Sequence, residues 1–168
     1  MAIRHTDFGR GNRRAIFIFA FAFSLLIFAS LLYLFLLVLD NERLHYAARE
    51  GDLSAIQKCL DSHPERIESR SRLGMTPLHS AVWHGRIEAV RLLIARGANI
   101  NAKWDTVSSD DGMWTNLHIC TAYDYHNIAV ILLHAGAMPN AVSTRGETPL
   151  DMAKRNRFQN LVELLSNQ

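Results

Sequence analysis

Residues 71–103 read SRLGMTPLHSAVWHGRIEAVRLLIARGANINAK, and this stretch decides the fold. Thr76 can cap a helix through its hydroxyl, and Pro77 fits the first helical position, where a missing N–H is no loss. Gly85 suits a tight turn between two antiparallel helices. The second helix is carried by the apolar run Ile87 to Ile94, and Gly97 suits its end in the left-handed conformation. One such helix pair cannot bury both its faces alone, so the stretch needs neighbours built like itself.

Working outward, the chain supplies them. Thr76-Pro77-Leu78-His79 returns as Thr115-Asn116-Leu117-His118 and as Thr148-Pro149-Leu150-Asp151, and Leu44-His45 opens the same pattern without its Thr-Pro. The spacings are 34, 39 and 33 residues. Apolar runs follow at Ile128 to Leu133, then Gly136-Ala137, and at Leu161 to Leu165. Residues 71–103 closely resemble an ankyrin repeat, because TPLH, the inter-helix Gly85, the LLI run and GANIN keep their mutual spacing. The resemblance covers nearly all of residues 40–168. It implies an all-α ankyrin-repeat solenoid of about 3.5–4 helix pairs, with repeats near 40–70, 71–103, 104–142 and 143–168.

Departures from the pattern gather in the third repeat. Asn116 replaces the proline, Asp124 stands where Gly85 does, and Met113 stands where Gly74 does. The 39-residue spacing fits an insertion of six, most naturally Trp104 to Ser109, in a loop between helix pairs. This repeat is expected to be the least regular and the least stable, although aspartate tolerates the left-handed region better than most residues. At the start of the array Asp40 or Asn41 can cap the first helix. At its end Asp151, Lys154, Arg155, Asn156 and Arg157 give the last repeat the polar surface of a terminal cap.

Before the repeats, Ala15 to Leu39 is a run of 25 residues whose only polar members are Ser24, Ser30 and Tyr33. As a helix it would span about 37 Å, enough to cross a hydrocarbon core of roughly 30 Å with tilt. The run is longer than a signal-peptide core and lacks a clear small-x-small cleavage site before Asp40, so an uncleaved transmembrane helix over residues 15–39 is expected. Arg4, Arg10, Arg13 and Arg14 precede it, against Arg43 and Arg49 beyond it. The positive-inside tendency then makes residues 1–14 a basic cytoplasmic tail and puts the repeats on the non-cytoplasmic side, the periplasm in a bacterium.

The chain carries a net charge of +2, and its distribution excludes one class of partner. Residues 1–39 hold four of the 18 basic and one of the 16 acidic side chains, leaving 14 and 15 for the repeats, net −1. A nucleic-acid binder would carry its basic surplus on the folded part. Cys59 and Cys120 lie in apolar helical patterns and read as buried free thiols. No HExxH, paired CxxC, Walker loop or nucleophile elbow is present, so neither metal, cofactor, small-molecule substrate nor catalysis is expected. The resemblance makes His45, His79 and His118 structural, bonding backbone of their own and adjacent repeats, in a column that Asp151 breaks. Asp105, Asp110 and Asp111 read as a solvated acidic loop without calcium-loop spacing.

What remains is recognition of a protein partner. The resemblance places Trp83 near the end of a first helix, and Trp104 and Trp114 in or beside the insertion, where ankyrin proteins form a concave recognition face. Trp104 and Trp114 either contact the partner or pack the insertion onto the stack. The candidate contacts are Met75, Trp83, His84, Trp104, Trp114, Tyr123, Arg145 and Glu147. The expected function is a membrane-tethered protein-binding module. Its alternatives are an immunity-type inhibitor of a secreted or periplasmic enzyme and a structural subunit of a membrane complex.

Overall fold

The computed structural model describes residues 21, 23–32, 42–104 and 112–168. The chain divides into two units, residues 1–39 and 40–168. In the first, residues 21 and 23–32 are helical, with large apolar side chains such as Phe23, Leu26 and Phe28 exposed. The Ser30 hydroxyl donates back to the Ile27 carbonyl at 2.8 Å. No helix among the described residues is long and apolar enough to cross a membrane. The basic tail 1–14 and residues 15–20, 22 and 33–39 of the expected span lie outside the described residues.

In the second unit four helix pairs follow one another. They are α1 (42–50) with α2 (Leu53–Ser62), α3 (Pro77–Trp83) with α4 (Ile87–Ala95), α5 (Asn116–Tyr123) with α6 (His126–His134), and α7 (Pro149–Asn156) with α8 (Gln159–Ser166). A 3-10 turn, Pro64–Glu68, follows α2. First helices pack on first helices, α3 on α5 and α5 on α7, while α2, α4, α6 and α8 pack in series. The result is two layers with the core between them. Leu44, Leu78 and Leu117 from the first layer and Leu93, Leu132 and Leu165 from the second are buried in it. Each fully buried leucine stabilises the stack by roughly 1.5–3 kcal/mol, a gain open to a helix pair only when its neighbours are in place.

Local chemistry sets each first helix. The Thr76 hydroxyl accepts from the His79 backbone N–H, and the Thr76 N–H donates to His79 Nδ1 at 3.2 Å, closing a capping box. Thr115 and His118 repeat this, with the return bond at 3.1 Å. In the last repeat Asp151 takes the histidine's part, its Oδ2 accepting from the Thr148 N–H at 3.0 Å and from the hydroxyl at 2.7 Å. Asp151 thus breaks the histidine column in residue type but keeps its capping role. These bonds hold its carboxyl below the usual carboxylate range.

Each pair turns on one left-handed residue: Gly51, Gly85, Asp124 and Arg157, at φ 80°, 67°, 57° and 62°. Glycine is demanded most at Gly85, where an added Cβ would lie 3.2 Å from the Tyr125 ring in a conformation side chains already avoid. Asp124 occupies the left-handed region as expected. Arg157 does so with no glycine, asparagine or aspartate to announce it.

Candidate functional site

The left-handed residues fix the register of the first-helix layer. Two positions before them stand Arg49, Trp83, Ala122 and Arg155, and one position before stand Glu50, His84, Tyr123 and Asn156. Trp83 is the aromatic member of the first row, and its neighbour Ala122 carries only a methyl. The Trp83 ring lies edge-on to Tyr123, with centroids 4.9 Å apart.

The turn before each first helix carries the rest of the site. Before α3 it is closed by Ser71 N–H to Met75 O at 2.9 Å, and before α7 by Ser143 N–H to Glu147 O at 3.0 Å. Before α5 the equivalent carbonyl, Trp114 O, takes the N–H of Trp104 at 2.7 Å, and the two tryptophans form an isolated antiparallel bridge. That closing bond spans six residues more than its counterparts, which matches the excess in repeat spacing. Trp104 and Trp114 therefore pair across the base of the enlarged turn. Residues 105–111, which include Asp105, Asp110, Asp111 and most of the expected insertion, lie outside the described residues. Met113, near the foot of the turn, sits at φ 65° where Gly74 and Gly146 sit in the neighbouring turns.

Five aromatic rings meet here. Trp114 is edge-on to Trp104 at 6.3 Å, Trp104 edge-on to Trp83 at 5.0 Å, Trp83 edge-on to Tyr123, and Tyr123 stacked on Tyr125 at 5.7 Å. Edge-to-face pairs of this kind contribute about 0.5–1.5 kcal/mol each beyond the area they bury. Trp104 is 9% exposed, and its indole N–H donates to Leu73 O at 2.6 Å, so it anchors the turn to the preceding repeat. Trp83 and Trp114 are half-buried and Tyr123 is exposed. The structure thus joins Trp83, Trp104, Trp114 and Tyr123 in one cluster.

The other candidates fall around it. Met75 is buried in the core. His84 is exposed, with Nδ1 2.9 Å from Ser80 O. Arg145 is exposed at the tip of the fourth turn, and Glu147, half-buried, accepts from Arg155 Nη1 at both carboxylate oxygens, at 2.7 and 2.9 Å. Tyr125 was not singled out from the sequence, yet it joins the cluster and backs Gly85. The signal was available, since it follows the left-handed residue just as Arg86 and Phe158 do. Burial, then the neighbouring Tyr125, raises the Tyr123 hydroxyl pKa.

The column histidines His45, His79 and His118 are buried within the stack. His118 Nε2 donates to Glu147 O of the next repeat at 3.1 Å, while its Nδ1 serves the cap. His79 Nε2 faces the Ala102 and Trp114 carbonyls without reaching bonding geometry and is buried. His45 lies 3.3 Å from the hydroxyls of Ser80 and Ser69. Burial above all lowers the pKa of each, to about 4 for His45 and His79. Neither Cys59 nor Cys120 forms a disulfide. Cys120 is fully buried, its thiol pushed up by desolvation, and Cys59 is half-buried. Among the described residues no three His, Cys, Asp or Glu side chains are grouped to hold a metal. A cleft of about 200 Å³ lies between the turns at Gly85 and Asp124, below the roughly 300–1,000 Å³ of small-molecule sites.

Helix pairs stacked in series over a shared core define a helical repeat module for protein–protein interaction. Residues 44–94 match the family model described as "Ankyrin repeats (many copies)". The chain is 33% identical to protein phosphatase 1 regulatory subunit 27 of Mus musculus over 116 residues, 69% of this chain and 71% of that protein. Its Homo sapiens counterpart is 32% identical over the same shares. Ankyrin repeat and SOCS box protein 3 of Homo sapiens is 31% identical over 104 residues, 62% of this chain and 19% of that protein. The chain belongs to the ankyrin-repeat family.

Proposed function

We propose that the chain holds a partner protein at a membrane, gripping it on the concave face that ankyrin stacks form. Trp83, His84, Trp114, Tyr123, Arg145 and Glu147 make the contact, while Met75 and Trp104 support it from beneath. One observation carries the reading: an aromatic cluster that spans two repeats and is still partly open to solvent. Large rigid rings of this kind dominate protein interfaces because they bury much area at small entropic cost. The apolar run 15–39 supplies the tether, and the arginines before it direct the N-terminus to the cytoplasm.

A photoreactive side chain at position 84 should crosslink a partner in native membranes, and one at position 91, on α4, should not. The reverse pattern would move the interface to the second-helix layer. Resistance of the full chain to alkaline extraction checks the tether. A reporter fused after Gln168 that is active only in the cytoplasm would invert the topology. A second reading rests on the likeness to protein phosphatase 1 regulatory subunit 27 over 71% of its length. It makes protein phosphatase 1 the first partner to offer the purified chain.

A further inference from the structure

We propose that the first corner of the repeat stack, which carries Tyr46 and Leu73, seats on the lipid headgroup layer. This rests on the reading of residues 15–39 as the tether and adds which surface of the repeats the bilayer touches. The first observation is chain length. The apolar run ends at Leu39 and α1 begins at residue 42, so the connection between them extends to about 10 Å at most. A headgroup layer is about 5–8 Å deep on each side of the hydrocarbon core. A chain anchored at Leu39 must therefore start its first repeat in or just above that layer.

The second observation is what the repeats expose there. Leu44, His45, Ala47 and Ala48 are the buried side of α1, and no first helix precedes α1 among the described residues, so Tyr46 is left on the end of the stack. Glu42, one helical turn before it, meets Arg72 at 3.7 Å, and His45 lies 3.3 Å from the Ser69 hydroxyl. These contacts bring the turn before α3 to the start of α1. Leu73 stands on that turn, its carbonyl held by the Trp104 indole and its side chain outside the core. Seven large apolar side chains are exposed among the described residues of the second unit, and the two most exposed are Leu73 at 68% and Tyr46 at 63%. Both lie near Glu42, where the repeats take over from the apolar run. Tyrosine favours the headgroup level because its ring is apolar and its hydroxyl stays wet, and leucine gains by partial burial beside it.

Charge does not drive the contact, since Arg72 and Glu42 pair with each other. Charge does limit its extent. Met138 and Val142 are also exposed, in the segment between α6 and α7, but the enlarged turn comes before them in the stack, and its sequence holds Asp105, Asp110 and Asp111. Three carboxylates favour water over the edge of a bilayer. The contact therefore ends at the first corner, and the later repeats stand clear of the lipid with the concave face open to a partner.

The full chain in phosphatidylcholine vesicles can carry a benzophenone side chain at position 27, 46, 73 or 138, one at a time, with phospholipid adducts read by mass spectrometry after irradiation. Adducts are expected from 27, 46 and 73 and not from 138. Leu73→Glu should lower the yield from position 46, and Met138→Glu should leave it unchanged, because apolar side chains hold the corner down and the short connection alone does not. Helical circular dichroism of each variant checks that the repeats stay folded. Adducts from 27 with none from 46 or none from 73, an equal yield from 138, or a yield from 46 that Leu73→Glu leaves untouched would each overturn the corner and keep the tether. No adduct from 27 removes the tether and the corner with it.

Discussion

The junction between the third and fourth repeats and the junction between the second and third are built from the same plan with different materials. At the later junction several polar groups close across the repeats, although the buried Ser143 hydroxyl has no partner. His118 Nε2 reaches Glu147 O, Asn156 Nδ2 reaches Thr121 O at 2.9 Å, and both the amide and hydroxyl of Thr144 reach Gly112 O. At the earlier junction His79 Nε2 and Asn116 Oδ1 are buried without a hydrogen-bond partner, and Met113 is held at φ 65°. Three tryptophans occupy that junction instead. The earlier junction thus leaves two buried polar atoms unpaired against one at the later, and brings in aromatic surface. Buried unsatisfied groups cost roughly 1–3 kcal/mol each, a loss of the size that the packed indoles at this junction can offset.

The comparison breaks first at Trp104. Trp104→Ala should destabilise the domain by about 3–5 kcal/mol, since it empties a buried indole site and frees Leu73 O. Ser143→Ala, at the matching base of the fourth turn, should change stability by less than about 0.5 kcal/mol, because the buried Ser143 hydroxyl has no partner to lose. Urea midpoints of the two full-length variants check this, and equal effects would remove the distinction between the junctions.

Acid should come next. His45 and His79 are neutral when folded, with pKa lowered from 6.5 to about 4, so between those values the unfolded chain binds more protons than the folded one. Their contribution is complete above pH 6.5 and is lost as pH falls toward 4, by up to about 3 kcal/mol for each histidine. The urea midpoint should therefore hold steady from pH 8 to 6.5 and fall below it. His79→Gln should make that fall shallower. A midpoint independent of pH down to 4.5 would show that the histidines are not buried as described.

The smallest effect sharpens the picture at the foot of the turn. Met113→Gly should stabilise by about 0.5–1 kcal/mol, as relief of a left-handed methionine exceeds the added freedom of glycine in the unfolded chain. Asp124→Gly should gain less, because aspartate tolerates that conformation. Thermal midpoints order the two, and a larger gain at position 124 would relocate the strain.

Much of this architecture was legible in the residues. TPLH, TNLH and TPLD marked the first helices, Gly85 and Gly97 marked a turn and a helix end, and the spacing excess marked the third repeat as irregular. Other features had no local signature. Arg157 takes a left-handed turn between α7 and α8, at a residue type that does not announce one. The capping by Asp151 was hidden by the change of residue type. Hydrophobic periodicity shows which face of a helix is buried, but not which carbonyl closes a loop. The pairing of Trp104 with Trp114, and with it the union of three tryptophans and Tyr123 in one cluster, therefore emerged only from the fold. The split within the candidate set has the same origin: Met75 and Trp104 face inward because of how neighbouring repeats close over them.

The central claim is that this cluster is the binding surface, and affinity for the partner captured from position 84 tests it directly. Trp83→Ala, shown to be folded by its unchanged helical circular dichroism and urea midpoint cooperativity, should bind at least about thirtyfold more weakly, the loss of roughly 2 kcal/mol expected of an interface hot spot. Arg96→Ala, on the second-helix side, should bind like the parent. A folded Trp83→Ala chain that binds as tightly as the parent would contradict the account and leave the aromatic cluster with a purely structural role.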